Sequence, residues 1–100
     1  MTDHSRIEGE CAHYLTALGF LVMRTHSSRN PPAENGIADL LAIRRNAIYT
    51  VGPVVLAVEI KAGRDKLRAD QEAWLAKARE QGVMILVVRS LDELREAIPR

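Results

Sequence analysis

The stretch from Gly36 to Lys61 constrains the fold more than any other, because it sets one aspartate and a Glu-x-Lys triplet inside two apolar runs. The first run is Gly36-Ile37-Ala38-Asp39-Leu40-Leu41-Ala42-Ile43, and the second is Val54-Val55-Leu56-Ala57-Val58-Glu59-Ile60-Lys61. Apolar runs of this length, bounded by turn signals, fit strands buried on both faces and are too short for a typical helix. Both read as central strands. Alternate side chains of a strand share a face, so Glu59 and Lys61 point the same way with α-carbons about 6.6 Å apart, and Asp39 can join them from the neighbouring strand. Two carboxylates and an ammonium lose much hydration energy at such a place unless they are paired or hold a metal. Two readings satisfy that demand. One is a salt-bridged cluster. The other is a hard-cation site, in which Asp39 and Glu59 supply oxygen ligands to Mg²⁺ or Mn²⁺ while Lys61 holds a water or a developing negative charge.

The elements around this stretch follow from periodicity. Ile7, Cys11, Tyr14, Leu15 and Leu18 recur at helical spacing, and Gly19 stands where the helix should stop. Glu8 and Glu10 fall at opposite edges of that apolar stripe, so either can look into a cleft. Glu8 also stands three residues after Ser5, the spacing of a capping box that would account for it with no chemistry. Phe20 to Met23 reads as a strand, followed by a loop through Arg24, Ser27, Arg29 and Pro31-Pro32. Arg24, Ser27 and Arg29 can contact phosphates, and each equally fits a solvated loop. His26 has no second histidine at ligand spacing, and His4 and His13 lie in or before the first helix.

Asn35-Gly36 is a common turn pair, giving Gly36 a structural role at the entry to the strand. The segment from Arg44 to Pro53 reads as a connection between antiparallel strands. After the Glu-x-Lys strand, four of the eight residues from 61 to 68 are basic: Lys61, Arg64, Lys66 and Arg68. Beside a metal site, this loop is the best candidate for phosphate contact, with a solvated loop as its alternative. Gln71, Trp74, Leu75 and Ala78 have helical spacing, and Gly82 closes the segment. Gln71 thus lies on an apolar face, where a buried amide needs partners. Trp74 reads as core rather than as a base-stacking platform. Val83 to Val88 is a continuous apolar strand, and Ser90 with Glu93 marks a capped closing helix that carries Leu91, Leu94 and Ile98. The order is αβββαβα.

Bulk charge carries little information: fourteen Lys and Arg against thirteen Asp and Glu give +1, so a basic partner surface must come from distribution. The single cysteine, Cys11, excludes an internal disulfide and a cysteine-built zinc site, and its spacing with Ile7 and Leu15 makes it core. One hundred residues suit a single domain spanning 1–100. No run reaches the length of a membrane span, and a cytoplasmic protein is expected.

Gly36, Asp39, Glu59-Ile60-Lys61, Gln71 and Trp74 together resemble the PD-(D/E)xK nucleases, specifically the virus-type replication-repair nuclease (VRR-NUC) domain, from Glu8 to about Val88. One departure is visible: Ala38 stands where a proline often precedes the aspartate, and proline is no metal ligand. The resemblance implies a restriction-endonuclease-like α/β core, a mixed sheet flanked by helices. It further implies a Mg²⁺- or Mn²⁺-dependent DNA endonuclease in which Asp39, Glu59 and the Ile60 carbonyl hold the metal. Lys61 would orient the attacking water, and Glu8 and Gln71 would complete the catalytic set, with Glu10 as the alternative helix carboxylate. Specificity would come from DNA shape, as in Holliday-junction resolvases, and a junction needs paired incisions from a homodimer. Apolar positions on the first and last helices offer surface that could serve its interface, and the sequence does not identify which surface is used. Two readings of other classes remain: a nucleic-acid-binding or assembly module on the same fold without turnover, and an α/β interaction domain with a buried salt-bridge cluster.

Overall fold

The computed structural model describes residues 2–25, 36–47 and 51–100. Its elements are α1 (Asp3–Ala17), β1 (Leu21–Arg24), β2 (Leu40–Arg44), β3 (Val54–Ile60), α2 (Ala69–Glu80), β4 (Met84–Val88) and α3 (Leu91–Ala97), the expected order. The four strands form one mixed sheet in the order β1-β2-β3-β4. β1 pairs with β2 and β2 with β3 antiparallel, whereas β3 and β4, joined through α2, run parallel.

Alternation along the central strands explains why their sequences are apolar throughout. Leu40, Ala42, Leu56, Val58 and Ile60 face the cluster built by Ile7, Cys11, Tyr14 and Leu15 of α1 and Leu94 of α3. Ala57 and Ala38, with Leu41 and Ile85, face the smaller cluster around Leu75 and Trp74 of α2. Trp74 is core in this sense. β3 is therefore covered on both sides, and Glu59, in phase with Ala57, points to the side of α2. Cys11 is wholly buried, and burial, reinforced by Glu10 and Glu8, pushes its thiol up to about 11.

The helix ends differ in part from the expectation. α1 starts one turn earlier than Ser5: Thr2 is its N-cap, and the Thr2 hydroxyl accepts a hydrogen bond from the Ser5 N–H at 3.1 Å. The Ser5–Glu8 capping box therefore does not form, because Ser5 is already inside the first turn and Glu8 lies past the unsatisfied amides. At the far end Gly19 takes φ +92, and the Arg44 guanidinium donates to the Leu18 carbonyl at 3.0 Å while lying 4.4 Å over the Phe20 ring. α3 is capped by Ser90, whose hydroxyl accepts from the Glu93 N–H at 3.2 Å; the Glu93 carboxylate returns to the N–H of Arg89, one residue before the cap. α1 and α3 are joined by the Tyr14 hydroxyl, which donates to the Ile98 carbonyl at 2.6 Å.

Ile7, Cys11, Tyr14, Leu15 and Leu94 turn the apolar faces of the first and last helices to the core, with Leu18, Leu91 and Ile98 partly buried beside them. Exposed large apolar side chains lie instead on the sheet, including Leu21 at 67%, Met23 at 53% and Met84 at 48%. Among the described residues, no helix is long and apolar enough to cross a membrane.

Candidate active site

The start of β2 and the end of β3 lie side by side, since Leu40 pairs with Val58 in the antiparallel ladder. Here the N-terminal ends of α1 and α2 converge on the sheet from opposite faces, bringing His4, Glu8 and Gln71 toward Asp39, Glu59 and Lys61. The backbone at this edge is fixed before any side chain acts: the Thr25 N–H donates to the Asp39 carbonyl and the Lys61 N–H to the Val88 carbonyl, each at 3.0 Å.

Asp39 and Glu59 are each only 2% exposed. Burying two carboxylates is tolerable only where donors replace water. Oδ2 of Asp39 accepts the Ile60 N–H at 2.7 Å and lies 3.2 Å from Nε2 of His4. Oε2 of Glu59 accepts from the Gln71 amide at 2.8 Å and lies 3.4 Å from Nζ of Lys61. Lys61 in turn donates to Oε1 of Gln71 at 2.8 Å, and that oxygen also accepts the Arg68 N–H at 2.9 Å. Gln71 thus does two jobs at once. As the third residue of α2 it takes up an amide at the helix start, and as a buried side chain it locks Lys61 and Glu59 in register.

Among the described residues, Lys61 pairs with Glu59 and no ion pair joins it to Asp39. Asp39 and Glu59 offer carboxylate oxygens, the ligand type that suits Mg²⁺ or Mn²⁺.

The two helix glutamates separate clearly. Glu8 turns to the site and accepts from Nε of Arg24 at 3.1 Å, whereas Glu10 turns away to Arg6, one helical turn earlier, at 3.1 Å. Arg24 thus holds Glu8 in the structure. Sequence reasoning missed His4, although His4-x-x-x-Glu8 has the spacing that puts two side chains on one helix face. His4, Glu8 and Asp39 bring one potential ligand atom each to within 4.8 Å of one another.

Arg64 and Lys66 are exposed on the loop after β3, and Arg68 pairs with Asp70 at 3.2 Å. That hydrogen bond from Arg68 holds the Asp70 carboxyl below its usual range. Arg89, not singled out by pattern, ties this loop to the body by donating to the carbonyls of Gly63 at 2.8 Å and Asp65 at 2.7 Å. A lone arginine after a strand carries no sequence signal for that role. His26, Ser27 and Arg29 lie outside the described residues.

Comparison with known proteins agrees with this geometry. A solved structure described as a VRR_NUC domain matches with a TM-score of 0.76 and 24% identity, covering 98% of this chain and 96% of that one, which shows a common fold. No curated protein matches the chain. The family model described as VRR-NUC domain matches residues 22–92, a span that includes Asp39, Glu59, Lys61 and Gln71. On that match, and on a fold with the mixed sheet and flanking helices of the PD-(D/E)xK nucleases, the chain belongs to the VRR-NUC family of nuclease-type domains.

Proposed function

We infer that this domain is a metal-dependent DNA endonuclease that hydrolyses phosphodiester bonds. The observation that carries the reading is the pair of buried carboxylates, Asp39 and Glu59, at adjacent strand ends, with Lys61 held beside Glu59 by Gln71. Asp39, Glu59 and the Ile60 carbonyl would hold Mg²⁺ or Mn²⁺, which when bound polarises the phosphate and lowers the pKa of the attacking water. Lys61 is 8% exposed, and its ammonium would orient that water and offset charge on the phosphate. Gln71 keeps the ammonium from swinging out of the site, and Glu8, fixed by Arg24, completes the acidic set.

Arg64, Lys66 and Arg68 would clamp phosphates without reading bases. Replacing all three by alanine is expected to weaken DNA binding and to flatten its salt dependence, since each phosphate contact releases condensed counterion. An unchanged slope of log K against log salt returns the loop to a solvated surface.

Substrate choice would rest on DNA shape, with four-way junctions the leading class. Symmetric incision of such a junction requires two copies, and the apolar side chains exposed on the sheet, Leu21 and Met23 among them, offer surface for a second copy to cover. Sedimentation at micromolar concentration is expected to show a species of twice the 11.1 kDa chain mass. A strict monomer that only nicks would move the substrate to flaps or nicks.

The deciding experiment is a cleavage panel of duplex, flap, nicked and four-way DNA with Mg²⁺ or Mn²⁺, run with the wild type and Asp39→Ala. Metal-dependent cleavage lost in the variant supports the reading. DNA bound but uncut under every condition would make the domain a binding module instead.

A further inference from the structure

The first turns of α1 hold a group that the nuclease reading above does not use. His4 and Glu8 stand four residues apart, so they project from one face of the helix and toward the same strand end. Thr2 caps this helix and Ile7 is buried in the core beneath it, so the position of both side chains is set by the fold. Nε2 of His4 reaches 3.2 Å from Oδ2 of Asp39, and the three groups bring one ligand atom each to within 4.8 Å of one another. Glu8 engages Arg24 through Oε2 at 3.1 Å, and its carboxylate carries a second oxygen. The His4 side chain remains 39% exposed, so an ion can reach it from solvent.

An imidazole nitrogen changes what such a site prefers. Carboxylate, carbonyl and water ligands suit Mg²⁺ and Mn²⁺ alike, whereas an imidazole ligand favours first-row transition ions over Mg²⁺, with affinity rising from Mn²⁺ through Co²⁺ along the Irving–Williams order. With its ring proton on Nδ1, His4 can offer the Nε2 lone pair to an ion.

We propose that His4, with Glu8 and Asp39, holds a divalent cation directly through its imidazole, and that this ligand makes the centre select a first-row transition ion such as Mn²⁺ or Co²⁺ over Mg²⁺. The inference rests on the metal-dependent reading of the site. It adds a ligand from a part of α1 that precedes the family match, which begins at residue 22. A histidine that only positioned Asp39 by hydrogen bonding would support all cations alike. A ligand supports them unequally.

The test measures binding, not turnover. Titration calorimetry with Mn²⁺, Co²⁺ and Mg²⁺ is run on the wild type, His4→Gln, His4→Ala and Asp39→Ala, with folding verified by circular dichroism. Mn²⁺ bound to the wild type is also examined by pulsed electron paramagnetic resonance for coupling to histidine nitrogen. The expected result is nitrogen coupling in the wild type that both His4 variants lose. Mn²⁺ and Co²⁺ affinity should fall about 10- to 100-fold, the scale on which even an outer partner of a ligand acts, with little change for Mg²⁺. Equal losses for all three cations, or no nitrogen coupling while Asp39→Ala still abolishes Mn²⁺ binding, would overturn the role of His4 and leave the metal site standing. If the wild type binds no divalent cation, the metal-dependent reading fails and this inference with it.

Discussion

Lys61→Ala is expected to lose DNA cleavage by about 10²- to 10³-fold while binding DNA nearly as well as the wild type, the scale of removing one preorganised group that stabilises transition-state charge. The expectation follows from the position of the ammonium. It lies 3.4 Å from Oε2 of Glu59 and donates to Gln71 at 2.8 Å, beneath the surface, whereas Arg64, Lys66 and Arg68, which would grip the phosphates, are exposed. Removing the charge also leaves Glu59 buried with less compensation, so a fall in stability must be separated from a fall in chemistry. Lys61→Met keeps the apolar stem and most of its packing, and serves as the second variant. Cleavage and fluorescence-anisotropy binding, measured at saturating metal on samples with native circular dichroism, decide the matter. Undiminished cleavage in both variants would remove Lys61 from the reaction, and lost binding in both would make it a binding residue.

Gly36→Ala should unfold the site from a distance. Gly36 takes φ +80, and a Cβ there would lie 2.2 Å from the carbonyl oxygen of Asp70 and 3.0 Å from the backbone nitrogen of Gln71. These are backbone atoms in the first turn of α2, so no side chain can move aside. The left-handed conformation costs an L-residue about 1–2 kcal/mol. Overpacking adds about 1–3 kcal/mol. With about 4–8 °C of Tm lost per kcal/mol in a domain of this size, a fall of at least about 8 °C is expected. Because the displaced turn carries Gln71, the hold on Lys61 and Glu59 should loosen too, and cleavage should fall even at temperatures where the variant is folded. Gly82→Ala is the control: it has φ +91 and, among the described residues, nothing within 4 Å of its Cβ. Equal effects of the two substitutions would mean that backbone conformation alone, and not the close approach to α2, makes glycine necessary at position 36.

The sequence by itself determined the elements and their order, and the reason is local. A strand buried on both faces must be apolar throughout, which made β2 and β3 legible, and two residues on one strand must share a face, which put Glu59 with Lys61. Gln71 was legible as a polar group on an apolar helix face. Which side chains of α1 reach the site was not. An amphipathic stripe fixes the face a helix buries but leaves its two edges equivalent, so Glu8 and Glu10 could be told apart only once α1 was docked on the sheet and Arg6 and Arg24 had taken one each. The start of α1 likewise depended on Thr2, and that earlier start brings His4 onto the helix, opposite Asp39. The contact of Gly36 with Asp70 joins residues far apart in the chain; sequence showed a turn glycine, and only the approach of the segment before β2 to the first turn of α2 showed why no side chain fits. Pairings across such separations are fixed by how helices and sheet pack together, a property of the whole fold that no local pattern encodes.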